Sequence, residues 1–206
     1  MQPVDAAIVL AIDASASVDF AEFDLMLGGF AAALRDPAIL AAATTGPRGA
    51  VALAAMFWSE AQEVAVGWTR LEGAPAAEAF AAALEAAPRL VRPAATALGE
   101  ALAAALRLLA LCPGEAARGA IDVSGDGRSN RGRPPAPVRD VAAASGITIN
   151  GLAILDEEPD LLEHYRAEVI GGPGAFALAA ADYAAFAEAM RAKLLREFRG
   201  PGAAIA

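Results

Sequence analysis

The chain has 206 residues, 57% of them hydrophobic and 20% charged, with 16 Lys and Arg against 25 Asp and Glu for a formal net charge of −9. That acidic balance opposes attraction to phosphate backbones and anionic membrane surfaces, so nucleic acid is not an expected partner. The mean hydropathy of +0.44 comes largely from alanine, and no apolar stretch reaches the ~18 residues of a membrane span, so none is expected in this chain.

The first apolar run predicts a strand over Ala6 to Asp13. A helix follows, opened by a capping box of Asp19 with Glu22 and a staple of Val18 with Phe23, and expected to run to about Leu34 and stop before Pro37. Strands are next predicted at Gly49 to Trp58 and Glu63 to Trp68. Only Ser59 to Gln62 separates them, too short for a helical crossover, so the pair is expected as an antiparallel hairpin. Trp58 and Trp68 then pack in the core or at the edge. Helices follow at Ala74 to Ala87 and Leu98 to Leu111, a strand at Ala120 to Ser124, and a helix at Pro135 to Ala144. After them come a strand at Thr148 to Leu155, a helix at Leu161 to Val169, a turn at Gly171 to Gly174, a strand at Ala175 to Ala179 and a helix at Ala181 to Phe198. Gly200 to Ala206 is expected as a frayed tail.

Apolar strands alternating with helices predict an α/β fold, a six-stranded, mostly parallel, doubly wound sheet with helices on both faces. No low-complexity linker divides the chain, so a single domain over residues 1–206 is expected, its core spanning about 4–198. Cys112 has no partner for an intrachain disulfide and is expected as a small buried hydrophobe at a helix end. No basic and apolar leader opens the chain. A periplasmic or secreted location follows if a signal peptide has been removed, and a cytoplasmic one otherwise.

In an open α/β sheet, ligands bind outside the carboxyl ends of the strands, and three loops place oxygen-bearing side chains there. Asp13-Ala14-Ser15-Ala16-Ser17 ends the first strand, and its i, i+2, i+4 spacing aims three oxygens to one side. Thr96 precedes the helix at Leu98, and Asp126-Gly127 follows the strand at Ala120. Hard cations such as Mg²⁺ take such oxygen ligands. Singly, each motif has a local explanation: a turn, a helix N-cap, a turn pair. Their joint order at strand ends favours a metal.

These residues resemble the von Willebrand factor type A domain with its metal-ion-dependent adhesion site. The family's pattern is Asp-x-Ser-x-Ser, a Thr in a separate loop, and an Asp followed by Gly after the fourth strand. All of these positions occur here in order, and Thr96-Ala97-Leu98-Gly99-Glu100-Ala101-Leu102 is similar to the family's Thr loop. Asp126 to Asn130, Ile147 to Leu155 and Gly171 to Phe176 further resemble a bacterial branch of A-domain proteins without an assigned function. The resemblance implies a Rossmann-like sheet with the hairpin strand at one edge. It also implies a divalent ion, Mg²⁺ or Mn²⁺ ahead of Ca²⁺, held directly by Ser15 and Ser17, through water by Asp13 and Asp126, and by Thr96 directly or through water. The open coordination position implies a non-enzymatic, monomeric module that captures a protein ligand by an Asp or Glu. One departure is local: Asp122-Val123-Ser124-Gly125 stands where the family often has an apolar run and Thr. Asp122 is unusual in a buried strand and is expected to pair with a basic side chain or cap a loop.

The alternative is a Mg²⁺-dependent, phosphatase-like hydrolase at the same strand ends. It lacks a second carboxylate two residues after Asp13, where Ser15 stands. A Gly-x-Ser-x-Gly elbow and a dinucleotide fingerprint are also absent. His164 is expected at the surface. Arg128, Asn130, Arg131 and Arg133 either steer an acidic partner or form a solvated loop, and Asp156-Glu157-Glu158 is expected as a solvated acidic loop.

Overall fold

The computed structural model describes residues 1–200; residues 201–206, most of the expected tail, lie outside the described residues. Six strands form one sheet: β1 (Ala6–Asp13), β2 (Val51–Trp58), β3 (Gln62–Leu71), β4 (Gly119–Gly125), β5 (Thr148–Ile154) and β6 (Ala177–Ala180). Their order is β3-β2-β1-β4-β5-β6, with every pairing parallel except β2 with β3, which makes β3 the antiparallel edge. The α/β, doubly wound, mostly parallel architecture is therefore as expected. β1 lies at the centre, flanked by β2 and β4. All eight of its residues are buried because both faces of a central parallel strand are covered, which is why its sequence is a continuous apolar run instead of an alternating one.

Two cores result. On one face, Ile8, Leu10 and Ile12 of β1 pack with α1 (Phe20–Leu34), α3 (Ala74–Glu85) and α7 (Phe186–Arg199), with Phe30 edge-on to Phe186 at 5.6 Å. On the other, Val9, Ile121, Ile149 and Trp58 pack with α4 (Leu98–Ala110), α5 (Pro135–Ala144) and the short helix α6 (Leu161–His164). Trp68 is partly buried and donates from Nε1 to Leu108 O at 3.3 Å, an edge role as expected. Among the described residues no single helix is long and apolar enough to cross a membrane.

The capping box forms: Glu22 N–H donates to Asp19 Oδ1 at 2.8 Å, and Asp19 N–H to Glu22 Oε2 at 2.7 Å. Pro37, read as a stop, instead opens a helix the sequence reading omitted, α2 (Pro37–Thr44). Proline at the first helical position removes no needed donor, and Asp36 caps it by accepting from Ala38 N–H at 2.7 Å. The expected helix over Leu161 to Val169 ends in a π-helical turn, Tyr165–Val169, closed by Ile170 N–H donating to Tyr165 O. α7 starts five residues later than expected, because the segment after β6 turns Tyr183 inward first and Asp182 Oδ1 accepts from Ala185 N–H. Cys112 follows the end of α4 but is half-buried, less enclosed than expected.

Candidate metal centre

The carboxyl ends of β1 and β4 adjoin in the middle of the sheet, so Asp13 and the loop after Gly125 open onto the same space. Ser15 N–H donates to Asp13 Oδ1 at 2.7 Å, which folds the loop back over the strand end. Ser15 Oγ and Ser17 Oγ lie 3.1 Å apart, and Ser17 Oγ donates to Asp126 Oδ1 at 2.7 Å. Thus the first and third of the predicted loops meet through side chains. The Thr96 loop is tied to both: Ala16 N–H donates to Ala94 O at 2.8 Å, and Thr96 exchanges two hydrogen bonds with Asn130, at 2.9 and 3.0 Å. A Cβ on Gly127 would sit 4.0 Å from Thr96 Oγ1, which places that hydroxyl beside the Asp126-Gly127 turn.

Asp13 is fully buried, and its Oδ2 has no hydrogen-bond partner. Burial, then the nearby charge of Asp126, push its carboxyl up to about 8 from an ordinary 3.8, against the lowering pull of Ser15 and Arg89. An orphaned buried carboxylate oxygen beside a second carboxylate is a fit test that a divalent cation passes, since the cation would supply the missing partner and relieve the repulsion. Among the described residues no group of three or more His, Cys, Asp or Glu side chains gathers to hold a metal, so a cation here would rely on hydroxyl oxygens beside two carboxylates.

Three contributors escaped the sequence reading. Tyr183 donates from its hydroxyl to Asp126 Oδ2 at 2.8 Å and so fixes the carboxylate that Ser17 holds from the other side. Arg89 donates from Nη2 to Ser15 O at 2.7 Å and Val18 O at 2.8 Å, while its guanidinium lies over Phe20 and Phe23, pinning the first loop. Gly125, noted only as a departure from the family pattern, leaves room: a Cβ there would lie 2.6 Å from Asp13 Oδ2 and 3.0 Å from the Tyr165 hydroxyl. Gly125→Ala is therefore expected to displace Asp13 and cost about 1–3 kcal/mol of stability, as overpacking does. Chemical denaturation with and without Mg²⁺ checks it; a variant that matches wild type in both conditions contradicts the close approach.

The basic cluster is neutralised within the fold. Arg128 pairs with Glu158 and with Asp160 at 2.7 Å, Arg133 with Glu100 at 2.9 Å, and Arg131 approaches Glu60 at 3.4 Å. The steering role loses its free charge, and Glu158 leaves the expected solvated loop to meet Arg128. His164 is half-buried, and burial followed by Arg128 lowers its basicity.

The sheet order and helical layers define the fold as that of von Willebrand factor type A domains. The chain belongs to the family described as "Protein of unknown function (DUF1194)", whose model matches residues 3–202. A search of curated proteins gives no match. Among solved structures, a von Willebrand factor type A protein from Catenulispora acidiphila is 19% identical with a TM-score of 0.67, covering 95% of this chain and 43% of that one. Proximal thread matrix protein 1 from the mussel byssus is 17% identical with a TM-score of 0.64, covering 92% and 45%. The von Willebrand factor domain of the type V pilus tip protein Mfa5 from Porphyromonas gingivalis is 12% identical with a TM-score of 0.61, covering 93% and 94%. The chain thus spans less than half the length of the first two, and at these identities the likeness is one of fold.

Proposed function

We propose that this chain is a divalent-metal-dependent protein-binding module, working as one domain, in which Asp13, Ser15, Ser17, Thr96 and Asp126 hold Mg²⁺ or Mn²⁺. The observation that carries the reading is the orphaned Oδ2 of buried Asp13, set among Ser15, Ser17 and Asp126. Neutral hydroxyls would leave a bound divalent ion electrophilic, so it would supply a point of attachment for an Asp or Glu of a partner. Arg89, Tyr183 and Asn130 position the ligands. Ser17 and Phe20 are exposed, Phe20 by 71%, so the rim joins a polar point to an apolar contact, which suits a protein surface. A crystal form of the mussel matrix protein is described with a zinc-occupied adhesion-site motif, and solved structures of similar fold include a minor pilin and a pilus adhesin, which supports the same reading by analogy of fold.

Both carboxylates of the site, Asp13 and Asp126, serve as ion ligands in this reading, and hydrolysis is the competing one. The test is retention of partners from a native extract on immobilised protein, in Mg²⁺ and in chelator. A protein is expected to be held in Mg²⁺, released by chelator and ignored by Asp13→Asn. Retention indifferent to both treatments, or phosphoester turnover that disappears in Asp13→Asn, rejects the proposal.

A further inference from the structure

Asp122 takes no part in the metal site. It sits within β4, on the face covered by α7, with Leu10 of β1 and Asn150 of β5 as its register neighbours. Lys193 of α7 reaches it: Nζ meets Asp122 Oδ2, and both side chains are completely buried. Glu197 follows Lys193 by one helical turn and so shares its face; it too is buried, with Oε2 accepting from Asn150 Nδ2 at 2.5 Å and Oε1 facing Arg118 Nη1 at 3.4 Å. The surroundings are apolar, with Met190 and Leu194 on the helix and the Phe176 ring 5.8 Å from Nζ.

This differs from an ordinary buried ion pair in one respect. Beyond their mutual contact, Lys193 Nζ and the Asp122 oxygens have no other hydrogen-bond partner. An ion pair hidden from water repays its desolvation only when geometry is good and remaining valences are satisfied, and here they are not. Burial raises the carboxyls of Asp122 and of Glu197, against the lowering pull of Lys193 on each. A lysine side chain held against a carboxyl in an apolar pocket, with Glu197 one turn along the same helix face, is positioned for acyl transfer by proximity.

We propose that Lys193 and Asp122 condense to an intramolecular amide that crosslinks α7 to β4, with Glu197 as proton shuttle. A proton passes from the Lys193 ammonium to Asp122, leaving amine and carboxylic acid. The Nζ lone pair forms a bond to Cγ as the C=O π pair moves onto its oxygen. Glu197 then takes a proton from Nζ and returns one to the hydroxyl on Cγ, that C–O bond breaks with its electron pair on the leaving oxygen as the oxyanion re-forms the C=O bond, and one water leaves. Glu197 ends as it began, and no oxidant, cofactor or activated group is consumed. Asn150 and Arg118 are positioning residues that orient the Glu197 carboxyl.

The experiment is intact-mass measurement of the denatured full chain, followed by protease digestion. Wild type is expected to be lighter than its sequence by one water, and the digest to contain a branched peptide joining the Asp122 and Lys193 segments. Lys193→Arg and Glu197→Gln are expected at full sequence mass, and a folded near-ultraviolet spectrum for Glu197→Gln shows that the loss is chemical. Wild type at full mass, or Asp122 and Lys193 recovered in separate linear peptides, overturns the crosslink. Complete conversion of Glu197→Gln overturns the shuttle.

Discussion

In chelator-treated protein, the stability of wild type relative to Asp13→Asn is expected to fall as pH rises from about 4 to about 8, and saturating Mg²⁺ to cancel most of that fall. The folded state holds the Asp13 carboxyl at about 8, while the unfolded chain returns it to 3.8. Between those values the folded state binds more protons than the unfolded one, so unfolding free energy declines with pH. The contribution is fully present below 3.8 and lost once pH passes about 8. Its span is on the order of 5 kcal/mol, taking 1.36 kcal/mol for each tenfold difference in proton affinity. Asn cannot titrate, so the comparison isolates this one group from the other carboxylates. A divalent ion replaces the proton as the partner of Oδ2. Binding below about pH 8 is therefore expected to release protons, which calorimetry in buffers of different ionisation enthalpy measures. Parallel stability-versus-pH curves for the two proteins, or Mg²⁺ stabilising Asp13→Asn as much as wild type, would refute the site.

Lys193→Met is expected to melt roughly 10 °C below wild type. Methionine fills much of the same space, so the loss is not one of packing. It strands Asp122 and leaves Glu197 with Arg118 and Asn150 alone, both carboxyls inside the sheet–helix interface. With or without the amide in wild type, the variant holds a stranded buried carboxyl, which costs about 3–5 kcal/mol, and for a chain of this size each kcal/mol moves the midpoint by about 2–4 °C. Adding Asp122→Leu removes the stranded carboxyl and should recover part of the loss, while any tether between α7 and β4 stays absent. The double variant therefore belongs between the single variant and wild type. A single variant within two or so degrees of wild type, by calorimetry in the same buffer, would show that the pair contributes little.

Local pattern was enough wherever the cause of structure was local. β1 matches its expected bounds because an apolar run bounded by Asp13 has few alternatives to a doubly buried strand, and α5 matches because Pro135 and Gly146 mark its two ends. The hairpin followed from a connection too short to cross the sheet. Where one residue type carries two local meanings, pattern misled: Pro37 can end a helix or begin one, and only Asp36 in capping position distinguishes them.

The five candidate ligands were legible by motif: Asp13 ends β1 with Ser15 and Ser17 behind it, Asp126 follows β4, and Thr96 lies between α3 and α4, while the parallel pairing of β1 and β4 brings the first and last of these segments together. Nothing local could reveal Tyr183 on Asp126, Arg89 on the first loop, or Lys193 against Asp122. Tyr183 precedes α7 in a segment whose periodicity reads as helix, and its inward turn is met by Asp126 and by apolar packing from across the fold. Asp122 announced itself in the sequence as a costly buried charge, yet its partner could not be chosen among the basic residues. Periodicity, caps and turns are set by neighbours along the chain and survive without the rest of the protein. Contacts between distant side chains depend on sheet order and helix placement, which decide which charges share a dry interior.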